Sequence, residues 1–504
     1  MQSLPCPQRT HATRFPALQC VLALILAIAL GSTHAASEID VPYIGEPADR
    51  SLSPLEEQRL GREVMRQLLT HQYVLEDPQI EDYIAGLGQQ LLQHTNDQHI
   101  GFKFFAVRDA AINAFAMPGG YIGINAGLLM ASDSESELAG VVAHEIAHVT
   151  QRHIARSMDD TRGWDVASTA LLLAALIAGA HDPELAQAAL GIGMSAAMQK
   201  QINFTRANEL EADRLGIKTL SAAGFDPQGM ASFFHRLSQK SQLYGEGVPE
   251  ILRTHPVNTT RISEAQARAA SLPSDGHDSS LNYALMKARA RVLMTELSSD
   301  AVRYFQATHQ ADPSPENRYG LALALRRARA FEQSEDLLQA LHRDNPEEVT
   351  YKIALGELYL YRGDYDTAIR QLRQTRKAHQ KNRTVLLLLA DAMVRNAQPQ
   401  QARQLMLETD LLNRGDSEAF RLLALAARDM NEPAEAHFQM SAYSHSRGDY
   451  VDAIRQLRNG LRVKDLDAHD RKRLQGRLNE YIGQIPESER RRAESEERQR
   501  RQGY

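Results

Sequence analysis

The stretch SESELAGVVAHEIAHV, residues 134–149, starts a helix, gives it a buried face and sets two histidines on it. Ser134 followed three residues later by Glu137 reads as a capping box. Leu138, Val141, Val142, Ile146 and Val149 recur at helical spacing, so a helix buried along this face is expected to run to about Met158. His144 and His148 stand one turn apart, and their imidazoles point the same way. Two imidazoles so placed can share a metal ion. Glu145 between them faces the metal without having to bind it and can take a proton from an attacking water.

Such a site needs a third protein ligand. An extended motif with Gly at 151 and His at 154 is excluded, because those positions hold Gln151 and Ile154. Downstream lies Asn208-Glu209-Leu210-Glu211-Ala212-Asp213. Read from the residues alone, the third ligand is Glu209 or Glu211. Glu209 has Asp213 one turn further on, placed to hold a histidine ligand from behind. His153, His181 and His235 have no supporting context and read as surface or core histidines.

Upstream of the motif, residues 40–53 form a polar arm, and helical spacing runs over 55–71 and 77–94. Strands are expected at 101–107, 114–117 and 121–125, the last two separated by Pro118-Gly119-Gly120. A strand at Asn113, Ala114, Phe115, Ala116 and Met117, beside the histidine helix, offers an edge on which a substrate backbone can pair. Residues 1–35 read as a secretory signal peptide: Arg9 and Arg14, an apolar run from Phe15 to Leu30, then small residues up to a cut after Ala35. Both cysteines, Cys6 and Cys20, lie inside it. The mature chain would then have neither disulfide nor thiolate ligand, leaving His, Asp and Glu for any metal.

The apolar run at 166–180 is short for a membrane span and is expected as a buried or hairpin helix. Helical segments over 157–199 are candidates for a lid. A long helix from about Leu185 to Ala223 is expected to carry Glu209 and Asp213. SLPSDGHDSS, residues 271–280, reads as a linker. Beyond it Ala322, Gly356, Ala390 and Ala424 recur every 34 residues, and Ser334, Ala368, Ala402 and Ala436 follow each by twelve. That is the tetratricopeptide period, with small residues where paired helices cross. Gly448-Asp449-Tyr450 repeats Gly363-Asp364-Tyr365 at a distance of 85, two and a half periods, so a helix near 434–446 is expected to serve two repeats. A formal net charge of −6 over 504 residues gives no reason to expect nucleic-acid binding.

The run Asn113 to Gly120, then His144-Glu145-xx-His148, then Glu209-xxx-Asp213, resembles the peptidase family that includes the CAAX prenyl proteases. The 65-residue gap from His144 to Glu209, the signal peptide and the repeats resemble its periplasmic β-barrel assembly-enhancing branch in Gram-negative bacteria. The resemblance implies a mainly α protein: an α+β, gluzincin-like zinc metallopeptidase domain at 36–270, the linker, tetratricopeptide repeats at 281–485 and a charged, disordered tail at 486–504. It implies one Zn2+ per chain, held by His144, His148 and Glu209. It also singles out His255, either stabilising the oxyanion or binding zinc as a latch, and Arg261 six residues on as its support. The implied biology is periplasmic and peripheral to the outer membrane: cleavage of unfolded or misassembled outer-membrane proteins, and help in their assembly. Implied partners of the repeats are the β-barrel assembly machinery and the lipopolysaccharide-insertion barrel. A chaperone or adaptor with latent proteolysis is the alternative. An integral-membrane prenyl protease is excluded, since no segment after the signal is long and apolar enough to span.

Overall fold

In a computed structural model, residues 52–95, 101–157, 169, 170, 173, 206–244, 249–273, 276, 277, 279–484 and 490 are described. The expected signal peptide and the lid segments fall outside these residues, save 157, 169, 170 and 173, as does the tail apart from 490.

Helix α1 (Pro54–Thr70) starts on a full capping box: the Ser53 hydroxyl accepts from the Glu56 N–H, and the Glu56 carboxylate accepts from the Ser53 N–H. Helix α2 (Pro78–Leu92) is capped by Asp77. Three strands follow, β1 (Lys103–Val107), β2 (Ala114–Met117) and β3 (Tyr121–Asn125). Their order is β1-β3-β2, with β1 parallel and β2 antiparallel to β3. Strand β2 is therefore an edge, and one side of its backbone has no strand partner in the sheet. The Asn125 N–H donates to the Asn113 carbonyl (3.0 Å), extending the ladder by one residue.

After a short helix α3 (Ala126–Ala131) comes the histidine helix α4 (Glu135–Thr150). Two expectations about α4 need correction. The Ser134 hydroxyl accepts from the Glu137 N–H, but the Glu137 carboxylate takes its return bond from the Asp133 N–H (2.7 Å), and it also pairs with Arg236. The helix also ends at Thr150 rather than near Met158. Arg152 has φ +50, which no right-handed helix can absorb, and its guanidinium donates to Glu57 (2.7 Å) and the Leu52 carbonyl (2.8 Å). The chain restarts as a short helix α5 (His153–Ser157) in a new direction.

Helices α6 (Arg206–Ala222) and α7 (Gln228–Tyr244) pack on α4, and α8 (Glu250–Thr254) and α9 (Thr259–Ala270) follow. At Gly216 a Cβ would lie 3.1 Å from the His144 backbone nitrogen. The missing side chain lets α6 cross α4 closely, which brings Glu209 and Asp213, on the same face about two turns and one turn earlier, onto the histidines.

Among the described residues twelve further helices follow, from α10 (Leu281–Met294) to α21 (Ala468–Gln484), most of them packed on the next in sequence. Between them lie α11 (Ser298–Ala311), α12 (Pro315–Arg327), α13 (Phe331–Asp344), α14 (Val349–Arg362), α15 (Tyr365–Ala378), α16 (Arg383–Arg395), α17 (Pro399–Leu407), α18 (Ser417–Asp429), α19 (Pro433–Ser446) and α20 (Tyr450–Leu461). The small residues at the 34-residue period fall on the first helix of a pair and those twelve later on the second. Ser334 shows why: buried, it donates to the Ala322 carbonyl (2.7 Å) across the pair. Gly363 and Gly448 have φ +84 and +77 and end a helix, and Asp364 and Asp449 cap the next. Helix α19 packs equally on α18 and α20.

One apolar core runs from Leu75 to Ala426, through both the part built around α4 and the repeats. The expected linker is not a free tether. The His277 carbonyl accepts from the Ser136 hydroxyl, Ser279 accepts from the Glu135 N–H (3.1 Å), and the Ser280 N–H donates to Glu135 (2.8 Å). At the junction, buried Arg289 on α10 forks onto Asp77 (2.8 and 2.7 Å) and Glu357 on α14 (2.7 and 3.0 Å), and Arg326 also pairs with Glu357. Ala170 and Leu173, from the apolar run at 166–180, pack with Leu60, Val64 and Phe105. Among the described residues no helix is long and apolar enough to cross a membrane.

Candidate metal centre

Helix α4 presents His144 and His148, α6 presents Glu209, and the residue ending α8 is His255. One donor atom from each lies within 4.8 Å of the others, and all four residues are buried. His144 Nε2 is 2.9 Å from His148 Nε2, 3.5 Å from Glu209 Oε2 and 3.3 Å from His255 Nδ1. His255 Nδ1 is 3.0 Å from Glu209 Oε1, and His255 Nε2 is 3.6 Å from Glu145 Oε1.

A second layer holds these groups. Asp213 Oδ1 stands 3.0 Å from His144 Nδ1, on the side of the ring away from the donor cluster. Arg261, on α9, donates through Nε and Nη2 to Asp213 (2.7 and 2.8 Å) and through Nη1 to the Pro256 carbonyl (2.9 Å). The same Nη1 lies 2.7 Å from Glu209 Oε2. Arg261 thus ties α6, which carries Glu209 and Asp213, to the His255 loop. That loop is also fixed to the start of β2, where the Ile251 N–H donates to the Ile112 carbonyl (3.2 Å). Strand β2, with half-buried Phe115 and Ala116, runs along α4 beside Glu145.

The electrostatics ask for a cation. Glu145, Glu209 and Asp213 are all buried, and among the described residues the only buried guanidinium touching Glu209 and Asp213 is Arg261. The cluster is therefore short of two positive charges if its imidazoles are neutral. Burial disfavours a protonated His144, yet Asp213 and Glu209 outweigh it and push its pKa up to about 10. His148 goes well below its usual value, by burial and by repulsion from His144 and His255. Burial also opposes charge on Glu209, but His255 and His144 hold its carboxyl far below the usual range. Burial raises Glu145, against the pull of His255. Both Glu145 oxygens are buried without a well-formed hydrogen bond among the described residues; the Ala116 N–H of β2 is turned towards them. Three imidazoles and a carboxylate with donor atoms within 4.8 Å of one another suit a divalent metal ion.

The structure thus brings His144, Glu145, His148, Glu209, Asp213, His255 and Arg261 together, with Asn113 to Met117 alongside. Glu211 points elsewhere, to His153 (3.1 Å). His153 is buried with Nδ1 2.9 Å from His148 Nδ1, a contact that the sequence reading passed over. Its one local signal is a histidine three residues past the end of α4, at the start of α5. His235 is exposed, and His181 lies outside the described residues.

Residues 77–269 match peptidase family M48, and residues 359–426 match the tetratricopeptide repeat. A beta-barrel assembly-enhancing protease of Escherichia coli K12 is 33% identical over 82% of this chain and 85% of its own. A Vibrio cholerae protein assigned the same name is 38% identical over 68% of this chain and 72% of its own. The Arabidopsis thaliana mitochondrial metalloendopeptidase OMA1 is 26% identical over 43% of this chain and 42% of its own. Two relatives of this identity and extent, over a site of this donor set, put the chain in peptidase family M48, among the β-barrel assembly-enhancing proteases, as a metalloendopeptidase.

Proposed function

We propose that the metal is one zinc ion per chain, held by His144, His148 and Glu209, and that the protein cleaves unfolded or misassembled outer-membrane proteins while assisting their assembly. The observation that carries this is the buried cluster of three imidazoles and a carboxylate, with donor atoms within 4.8 Å of one another. Zinc bound there supplies Lewis acidity, polarising the scissile carbonyl and lowering the pKa of a held water to about 7.

The chain's own residues do the rest. Glu145 accepts a proton from the water as its oxygen bonds to the carbonyl carbon. It then passes that proton to the amide nitrogen as the C–N bond breaks. Asp213, fixed by Arg261, holds the His144 ring from behind. Strand β2, from Asn113 to Met117, pairs with the substrate backbone as an added strand, which favours extended polypeptide of any sequence. The assembly role rests on what the relatives are named for. The repeats would dock the β-barrel assembly machinery and the lipopolysaccharide-insertion barrel, and residues 1–35 would direct the chain to the periplasm.

The position of His255 favours a second reading. Its Nδ1 lies inside the donor set, 3.0 Å from Glu209, rather than off to one side as an oxyanion donor. With His255 as fourth ligand the resting site is latched, and an assembly or adaptor role can proceed with proteolysis latent.

Digestion of casein by the purified protein, beside Glu145→Gln and His255→Ala with zinc measured in each, tests both readings. The expected result is loss of cleavage in Glu145→Gln with zinc retained, and a gain in His255→Ala. A protein that takes up no zinc after reconstitution overturns the site assignment.

A further inference from the structure

The donor cluster accounts for only one side of the His148 ring. Its Nε2 faces His144 and Glu209; its Nδ1, on the far side, lies 2.9 Å from Nδ1 of buried His153. The other nitrogen of His153, Nε2, lies 3.1 Å from Glu211 Oε2. If His148 Nε2 keeps its lone pair for a metal, its proton must sit on Nδ1 and be donated to His153. His153 Nδ1 must then accept, so its own proton is on Nε2 and is donated to the Glu211 carboxylate. The reverse arrangement would put a proton on His148 Nε2 and remove it as a ligand.

We infer that His153, anchored by Glu211, is a positioning residue for the metal, fixing the tautomer and ring orientation of His148 as Asp213 does for His144. This rests on the reading of His148 as a ligand. Helix α6 then serves the centre three times: Glu209 as donor, Asp213 behind one histidine and Glu211 behind the other through His153. The inference also gives the break in α4 a purpose. In a continuous helix a residue five positions after His148 would sit about 140° round the axis from it. The left-handed turn at Arg152, held by Glu57 and the Leu52 carbonyl, folds His153 back against the ring.

The test is zinc affinity of the full chain, by competition with a chromophoric chelator, for the unmodified protein, His153→Leu, His153→Asn and Glu211→Ala. His153→Leu removes the acceptor and is expected to weaken zinc roughly 10- to 100-fold. Asparagine carries an amide oxygen near the position of Nδ1, so His153→Asn is expected to restore most of the affinity. Glu211 is 42% exposed, so its removal does not open the core, and a few-fold loss is expected. Visible absorption of the cobalt-substituted forms should change in His153→Leu and not in His153→Asn. Unchanged zinc affinity in His153→Leu overturns the inference. Equal losses in the leucine and asparagine variants, with matching drops in metal-free melting temperature, assign His153 a purely structural role and also overturn it. If His153→Leu does not fold, unchanged affinity in Glu211→Ala has the same force. Failure of the unmodified protein to bind zinc instead sinks the ligand reading itself, and this inference with it.

Discussion

Two of the buried charge clusters among the described residues follow opposite rules. At the junction of peptidase and repeats, Arg289 and Arg326 face Asp77 and Glu357, two cations to two anions. Gln79 adds a neutral bond to Glu357 (3.1 Å), and Tyr319 lies 3.4 Å from Arg289. Burial opposes charge on Glu357, but the two arginines overcome it and hold its pKa down to about 2. At the metal centre three carboxylates meet one guanidinium, and Glu145 lacks a well-formed hydrogen bond among the described residues. Burying charge is costly unless it is paired. The junction meets that requirement within the chain and serves to join two folds. The centre leaves it to a cation from outside, and that is where chemistry belongs.

The largest effect should come from the under-supplied cluster. Glu145→Gln keeps the size of the side chain and removes its basicity, so kcat on casein should fall about 10²- to 10⁴-fold with zinc content unchanged. At the junction, Glu357→Leu leaves buried Arg326 without its carboxylate and Arg289 with Asp77 alone. It should cost about 3–5 kcal/mol of stability, read by chemical denaturation, while zinc affinity holds. A smaller effect is expected from Asp213→Asn, which should weaken zinc about 10- to 100-fold in chelator competition. If Glu357→Leu lowered zinc affinity and Asp213→Asn did not, the division of labour between the clusters would be wrong.

The same contrast explains what could be read ahead of the structure. The start of α4, its buried face, the two histidines, the three strands and the 34-residue spacing are local patterns, and local patterns are visible in sequence. Glu209 and Asp213 were visible as a pair one turn apart, but the residues alone left Glu211 open as the alternative, and the resemblance made the choice. The stop at Thr150 was not visible. No glycine or proline marks it, and the left-handed Arg152 is imposed by Glu57 and the Leu52 carbonyl, about a hundred residues away in sequence. His153 was passed over for the same reason, since only that turn brings it to His148. Residues 271–280 read as a linker because they are polar, yet those polar groups bond to the start of α4. The junction was invisible, because Arg289 meets Asp77 across 212 positions and Glu357 across 68.

The smallest effect is the sharpest test of saturation at the junction. Gln79 donates one neutral hydrogen bond to Glu357, whose carboxylate already receives Arg289 and Arg326. Gln79→Leu removes that donor and leaves no ion unpaired. It should cost about 0.5–1.5 kcal/mol, the ordinary net worth of one bond. The leucine also fills most of the volume in a buried site, which limits any cavity term. If Gln79→Leu instead destabilises as much as Glu357→Leu, the arginines do not satisfy Glu357 by themselves. The junction would then be as finely balanced as the metal centre, and the contrast between the two clusters would fail.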